Sequence, residues 1–164
     1  MAYGAPEGTQ YEGLMLYLKA KLEYEQGHYD AAIFYDMKAL TIFEGLESGM
    51  ECGSAYHLLG QCYSKNSKTF DLGIKQLQKC MTIWKKYRAQ FSGSMVKIHQ
   101  MIADVYYDNK QYSQALMWYQ KCMSLLNNQT TMMCTSVIRD RILKRMEECG
   151  MQELPSRYSQ GELI

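Results

Sequence analysis

Cysteine and histidine are the residues of this 164-residue chain that could hold a metal ion or act as a nucleophile. A zinc site needs about four such ligands, usually grouped in closely spaced pairs. The histidines, His28, His57 and His99, are isolated from any cysteine pair. No Cys-x-x-Cys pair occurs among the cysteines, which are Cys52, Cys62, Cys80, Cys122, Cys134 and Cys149. We therefore expect no metal site.

Catalytic patterns of other kinds are also missing from the sequence. There is no Gly-x-Gly-x-x-Gly fingerprint, no Walker phosphate-binding loop, and no evident nucleophile–base arrangement or carboxylate pair. These are the patterns that position a nucleotide or activate an attacking group. We therefore expect a protein that is not an enzyme and uses no cofactor.

The cysteines are better explained as core residues. Cys62, Cys80 and Cys122 recur at apolar helical positions, where a free thiol packs as a small hydrophobic group. Such thiols fit a reducing compartment better than a disulfide framework. No apolar run approaches the ~20 residues that span a bilayer, and the first residues lack the pattern of a signal peptide. We expect a cytoplasmic protein without membrane insertion.

Charge is unevenly distributed along the chain, although its formal net value is +1. Residues 1–55 carry three bases and nine acids (3 − 9 = −6), and the remainder carries 15 bases and eight acids (15 − 8 = +7). Solvated helix faces explain this distribution, and so does attraction between the ends of neighbouring copies. A homo-oligomer through exposed end repeats therefore stays an open prediction. The low net charge and the lack of a basic stripe predict no nucleic-acid partner.

The elements that must position the polar residues form a repeat. The tetrapeptide QKCM begins at position 78 and again at 120 (120 − 78 = 42), and MKAL at 37 lies in the same frame (79 − 38 = 41). In each copy, two segments with apolar residues at helical spacing flank a short polar turn, which indicates a helical hairpin. Small residues recur in each first helix (Ala20, Gly60, Ala103) and in each second helix (Ala32, Gly73, Ala115). The interval between them is one residue longer in the middle copy, which predicts a longer turn at Asn66–Thr69.

The repeat resembles the tetratricopeptide repeat (TPR) family. Gly27–Ile33, Leu59–Tyr63 and the whole third unit carry the resemblance, which covers about residues 14–126. The family period is ~34 residues, so the 41–42 residues here resemble the long-period TPRs of kinesin light chains. The resemblance implies an all-α, right-handed α-solenoid of three helical hairpins plus a C-terminal capping helix. We expect the surplus length to lie in the second helix of each hairpin.

Turn signals divide the chain. We predict a flexible lead over residues 1–9, one array over 10–149, and a polar tail over 150–164 that begins where Gly150 ends the last helix. The array comprises units at about 10–50, 51–91 and 92–129 and a capping helix at 132–149. Glycine-rich links are expected at 46–53 and 90–93. In the capping helix, we expect five apolar residues to face inward: Val137, Ile138, Ile142, Leu143 and Met146.

Binding is expected on the concave face, which the first helices of a TPR array line. The resemblance, transferred position by position, places these partner-binding residues there: Tyr17, Lys21, Tyr24, His57, Gln61, Lys65, Lys97, Gln100, Asp104 and Tyr107. Of the residues that clamp a chaperone's C-terminal carboxylate in some TPRs, only Lys97 has a counterpart, so we expect no such clamp.

Three functions stay open at this point. The first is an adaptor that grips a protein or peptide segment in the groove. The second is a structural subunit of a large intracellular assembly, such as a cytoskeletal or ciliary complex. The third, a helical-repeat RNA binder, is disfavoured by the charge.

Overall fold

The computed structural model describes residues 8–86, 88–127 and 134–158, and every regular element in these ranges is an α-helix. The helices are α1 (Gln10–Glu25), α2 (Tyr29–Gly45), α3 (Gly49–Tyr63), α4 (Phe70–Lys85), α5 (Arg88–Asp108), α6 (Tyr112–Asn127) and α7 (Cys134–Tyr158). The all-α repeat architecture of an α-solenoid is confirmed.

The second helices reproduce the sequence period. They begin at Tyr29, Phe70 and Tyr112, so the spacings are 70 − 29 = 41 and 112 − 70 = 42 residues. Sequential neighbours α1–α2, α2–α3 and α3–α4 pack together, and so do α6 and α7. Helices α5 and α6 are joined by a hydrogen bond from the Cys122 thiol to the Val96 carbonyl oxygen, at 3.5 Å.

Two of the three hairpin turns share one geometry. Gly27 follows α1 with φ +81°, its N–H bonds the Tyr24 carbonyl, and the next N–H bonds back to Glu23, which is a Schellman motif. Lys110 holds the equivalent place after α5 with φ +60°. The α3–α4 turn is longer, and the Thr69 hydroxyl donates to the Tyr63 carbonyl oxygen at 2.8 Å within it. The predicted extra residue therefore lies where the sequence placed it.

The surplus length is not confined to the second helices. Helix α3 begins at Gly49 and α5 at Arg88, so the two predicted glycine-rich links are wrong. The second helix is one residue longer in the first two hairpins (17 against 16 residues, and 16 against 15), whereas in the third α5 has 21 residues and α6 has 16. Gly53 explains the first case, because a Cβ on this residue would lie 2.2 Å from Nε1 of Trp84. This glycine admits an indole against the helix backbone instead of marking a loop.

Close approach of helices depends on other glycines as well. A Cβ on Gly73 would lie 2.8 Å from the Gly60 carbonyl oxygen, and a Cβ on Gly60 would meet Leu77 at 2.6 Å. Both glycines were predicted at close-packing positions, and both predictions are confirmed. Gly13 of α1 likewise faces Phe43 of α2, since its Cβ would lie 2.7 Å from that ring. A glycine opposite an aromatic ring thus closes the first two hairpins.

The last helix differs from its prediction in two ways. Helix α7 passes through Gly150 and ends at Tyr158; glycine costs a helix interior only about 1 kcal/mol relative to alanine, which did not suffice to stop it. Ile142 is buried as expected, but Val137 is 70 % exposed and Leu143 47 %. The buried positions Ile142 and Cys149 are seven residues apart, and Val137 falls on the opposite side of the helix.

The chain divides into two compact units, residues 1–91 and 92–164. Helices α1 to α4 build the core of the first unit, where Ala20, Ala32, Leu58 and Cys62 form one cluster. The boundary falls between the second and third predicted hairpins. Within the described ranges, no helix is both long enough and apolar enough to cross a membrane.

Candidate functional site

A small groove lies on the first unit where α1 passes α3. It encloses about 190 Å³. Its lining residues are Leu14, Tyr17, Phe43, Met50, Glu51 and Ser54. Apolar side chains form most of this wall, so the groove offers a place for one apolar side chain of a partner.

Tyr17 connects the groove to the core beneath it. Its ring packs against both buried clusters of the first unit and stays half-buried. Burial, reinforced by the nearby Asp36 carboxyl, raises the pKa of the Tyr17 hydroxyl to about 12. The phenol is therefore neutral at physiological pH and can donate a hydrogen bond.

The polar edge of the groove is set by Glu51. The Gln10 side-chain amide donates to the Glu51 carboxylate at 3.0 Å, which ties the start of α1 to the start of α3. The Ser54 hydroxyl donates to the Met50 carbonyl oxygen at 3.2 Å. A carboxylate beside apolar walls suits a partner that carries a basic or N–H donor group next to an apolar side chain.

A larger cleft of about 780 Å³ lies between the α1–α2 turn and the α3–α4 turn. Lys65 lines it, and the Lys65 ammonium group sits 5.7 Å from the Tyr24 ring centroid. Tyr24 in turn packs against Tyr29, with ring centroids 5.6 Å apart. The structure thus brings two predicted binding residues, Tyr24 and Lys65, together at one end of the hairpins.

The other predicted residues of the first unit have varied surroundings. Lys21 is exposed, and Gln61 is half-buried. His57 is half-buried and stacks on Trp84 of α4, with ring centroids 5.6 Å apart and planes 25° apart. Its imidazole therefore contacts the second helix of its own hairpin.

In the second unit, two predicted residues already have intramolecular partners. The Tyr119 hydroxyl donates to the Asp104 carboxylate. Burial raises the pKa of Asp104, and that hydrogen bond opposes the shift. The Tyr107 hydroxyl donates to Glu148 of α7 at 2.8 Å, and the Arg145 guanidinium lies 4.1 Å from the Tyr107 ring centroid.

Lys97 and Gln100, also on α5, complete the predicted set. Lys97 is exposed and Gln100 is half-buried. The predicted residues of α1 and α3 belong to the first unit, and those of α5 belong to the second. The assignment of all ten residues to a partner-binding face stays a prediction.

Of the six groove residues, sequence reasoning named only Tyr17, although a signal existed for two of the others, Leu14 and Ser54. First-helix positions correspond at an offset of 40 between units one and two (60 − 20) and 43 between units two and three (103 − 60). Lys97, which was predicted, therefore corresponds to Ser54 and to Leu14. Extending the same series of positions by one turn would have named both residues.

Comparison with known proteins agrees with the architecture. A family model described as "INTS8, TPR repeats" matches residues 47–153, from the start of α3 into α7. No curated protein matches the sequence. Among the described residues, no group of three or more histidine, cysteine, aspartate or glutamate side chains could hold a metal ion. With 107 of 164 residues matched (153 − 47 + 1 = 107), the chain belongs to the INTS8 TPR-repeat family, a fold of protein interaction and scaffolding.

Proposed function

We propose that this protein is a non-enzymatic adaptor that binds a segment of a partner protein across α1 and α3. The observation that supports the proposal best is the groove between these helices, with apolar walls and the Glu51 carboxylate at its edge. TPR arrays bind through the faces of their first helices, and α1 and α3 are two such helices.

The groove defines the chemistry of the segment. A volume of about 190 Å³ suits one large apolar side chain seated between Leu14, Phe43 and Met50. A lysine or arginine close to that side chain would reach Glu51, and the Tyr17 hydroxyl could donate to a backbone carbonyl oxygen. The segment we propose is therefore an extended or helical stretch with an apolar anchor beside a basic residue.

A pull-down with two matched variants tests this proposal. Leu14→Lys places an ammonium group in the groove, where the side chain is 39 % exposed, and Leu72→Lys makes the same change on α4, where it is 40 % exposed. We expect Leu14→Lys to abolish recovery of a stoichiometric protein partner, and Leu72→Lys to retain it. Equal recovery by both variants would contradict binding in the groove.

A structural subunit of a larger assembly is the second candidate. Phe34 and Met37 of α2 are 54 % and 52 % exposed, so apolar surface is also present away from the groove. Recovery of several subunits that survives Leu14→Lys but fails after Phe34→Ser would support this candidate. Recovery that is lost on nuclease treatment would instead support an RNA binder.

We further propose that the protein works in a reducing compartment. Burial raises the pKa of Cys62, Cys80 and Cys122 to about 12, so these thiols are protonated and unreactive in the folded state. Their role is then packing, as the sequence predicted.

A further inference from the structure

Helix α1 carries an apolar stripe on the side that faces away from its own hairpin. Tyr11, Met15, Leu18 and Leu22 are 63, 50, 57 and 58 % exposed. Their spacing of four, three and four residues places them in one row along the helix, about 16 Å long. Gly13 and Ala20, on the opposite side, are buried. We call these four residues the α1 stripe.

The repeat shows what this face does elsewhere in the chain. One unit later, at an offset of 40 residues (60 − 20), three stripe positions correspond to Ala55, Leu58 and Cys62 of α3. All three are buried, in the clusters that α3 shares with α2. A helix therefore covers this face of α3, while the same face of α1 carries larger apolar side chains and lies open.

We propose that the α1 stripe pairs with the α1 stripe of a second copy of this chain, in antiparallel orientation. A two-fold axis between positions 16 and 17 sets Met15 opposite Leu18 of the second copy. It also sets Tyr11 opposite Leu22 of the second copy. Each row of side chains then fills the gaps of an identical row, as in an antiparallel coiled coil.

Charges beside the stripe favour this arrangement over a parallel one. Glu12 and Lys19 flank the stripe on the same side, because they are seven residues apart. Within one chain the Lys19 ammonium group lies 4.1 Å from the Tyr35 ring centroid and Glu12 accepts from the Gly8 N–H, so the intermolecular pair adds to these contacts. In the antiparallel pair the same side of each helix meets, and Glu12 lies within about two residues, or ~3 Å along the axis, of Lys19 of the second copy. Two symmetry-related pairs of opposite charge result. The helix dipoles are also opposed in this orientation, which is favourable.

The interface does not depend on the proposed adaptor function, because it uses the side of α1 that points away from the core. One helix face is smaller than the ~800 Å² per partner of a standard interface. We therefore expect a dimer that dissociates at about 1–100 µM.

Sedimentation equilibrium of the full chain over this concentration range tests the inference. Met15→Glu places a charge in the stripe, and Met37→Glu makes the same change at a methionine of α2 that is 52 % exposed. We expect Met15→Glu to raise the dimer dissociation constant at least about tenfold and Met37→Glu to leave it unchanged. A monomer at every concentration, or a dimer that Met15→Glu does not weaken, would overturn the proposal.

Charge reversal tests the orientation. Lys19→Glu sets two acids against each other in the proposed pair, so we expect it to weaken the dimer. Adding Glu12→Lys to the same chain restores opposite charges, so we expect the double variant to dimerise as the wild type does. A double variant as weak as the single one would contradict the antiparallel register, and circular dichroism of each variant confirms that it is folded.

Discussion

Asp36 offers a direct test of how the first hairpin is packed. It is fully buried in α2, at a position where the second and third units have Leu77 and Tyr119 (36 + 41 = 77; 77 + 42 = 119). Neither of its carboxyl oxygens has a hydrogen-bond partner among the described residues. Burial raises the pKa of Asp36 from 3.8 to about 8; the nearby Leu59 backbone lowers it by less, because its approach does not meet the geometry of a hydrogen bond. The folded protein therefore holds a neutral carboxyl group at pH 7.

Thermodynamic linkage gives the sign and size of the effect that this carboxyl group has on the free energy of unfolding at different pH values. Between about pH 4 and pH 8 the folded state keeps a proton that the unfolded state releases, so the free energy of unfolding falls as pH rises. The rise from 3.8 to about 8 corresponds to a ceiling of about 5–6 kcal/mol in the free energy of unfolding. The stabilisation that comes from keeping this proton is complete below about pH 4 and is lost as the pH passes 8. Asp36→Asn removes the titrating group, so the variant should not lose stability in this way as the pH rises.

Urea unfolding of wild type and Asp36→Asn from pH 5 to pH 9 measures the effect. We expect the difference in unfolding free energy to grow in favour of Asp36→Asn by up to about 1.4 kcal/mol per pH unit, and to reach about 2–5 kcal/mol by pH 8. Asp30→Asn, at an exposed position of the same helix, is the control for replacing a carboxyl group by an amide outside the core. Parallel pH profiles for wild type and Asp36→Asn would refute the reasoning.

Three other measurements test the packing. Gly73→Ala should lower the free energy of unfolding by about 1–3 kcal/mol, because its Cβ would meet a backbone oxygen at 2.8 Å. Gly150→Ala in α7 has open space around the new Cβ and should raise the free energy of unfolding by up to about 1 kcal/mol. Equal effects of the two variants would argue against the close approach of α3 and α4 at Gly73. Tyr119→Phe should cost about 1–3 kcal/mol in thermal or urea unfolding, since Asp104 loses its donor, and an unchanged stability would count against that bond. A thiol reagent should modify all six cysteines in denaturant without prior reduction but leave the five described thiols unmodified in the native protein; fewer than six would reveal a disulfide.

The repeat could be predicted from the sequence because its period is marked by small residues at positions where a larger side chain would not fit. Gly60 and Gly73 must be small, since each stands against the backbone of the other's helix. The offsets of 41 and 42 residues therefore reappear as the starting positions of the second helices.

Helix boundaries were harder to predict, and the reason is again glycine. A glycine in a sequence marks either a turn or a close contact, and the two differ only in what lies opposite. The sequence around Gly53 predicts a link, whereas the structure places Trp84, 31 residues away, against this glycine. Gly150 has nothing within contact distance and still lies within a helix.

The candidate site shows a similar limit. A helical pattern identifies which side chains leave the core, but it does not reveal which of them find a partner elsewhere in the chain. Tyr107 bonds Glu148, 41 residues away, and His57 stacks on Trp84. Leu14 and Ser54, in contrast, could have been named from the position of Lys97.

Site-specific photo-crosslinking tests the central claim most directly. A photoreactive amino acid at Ser54 lies in the groove between α1 and α3, and one at Gln78 lies at an exposed position of α4. The account predicts that Ser54 crosslinks to the protein partner recovered with the wild type and that Gln78 does not. Crosslinks from Gln78 with none from Ser54 would contradict it.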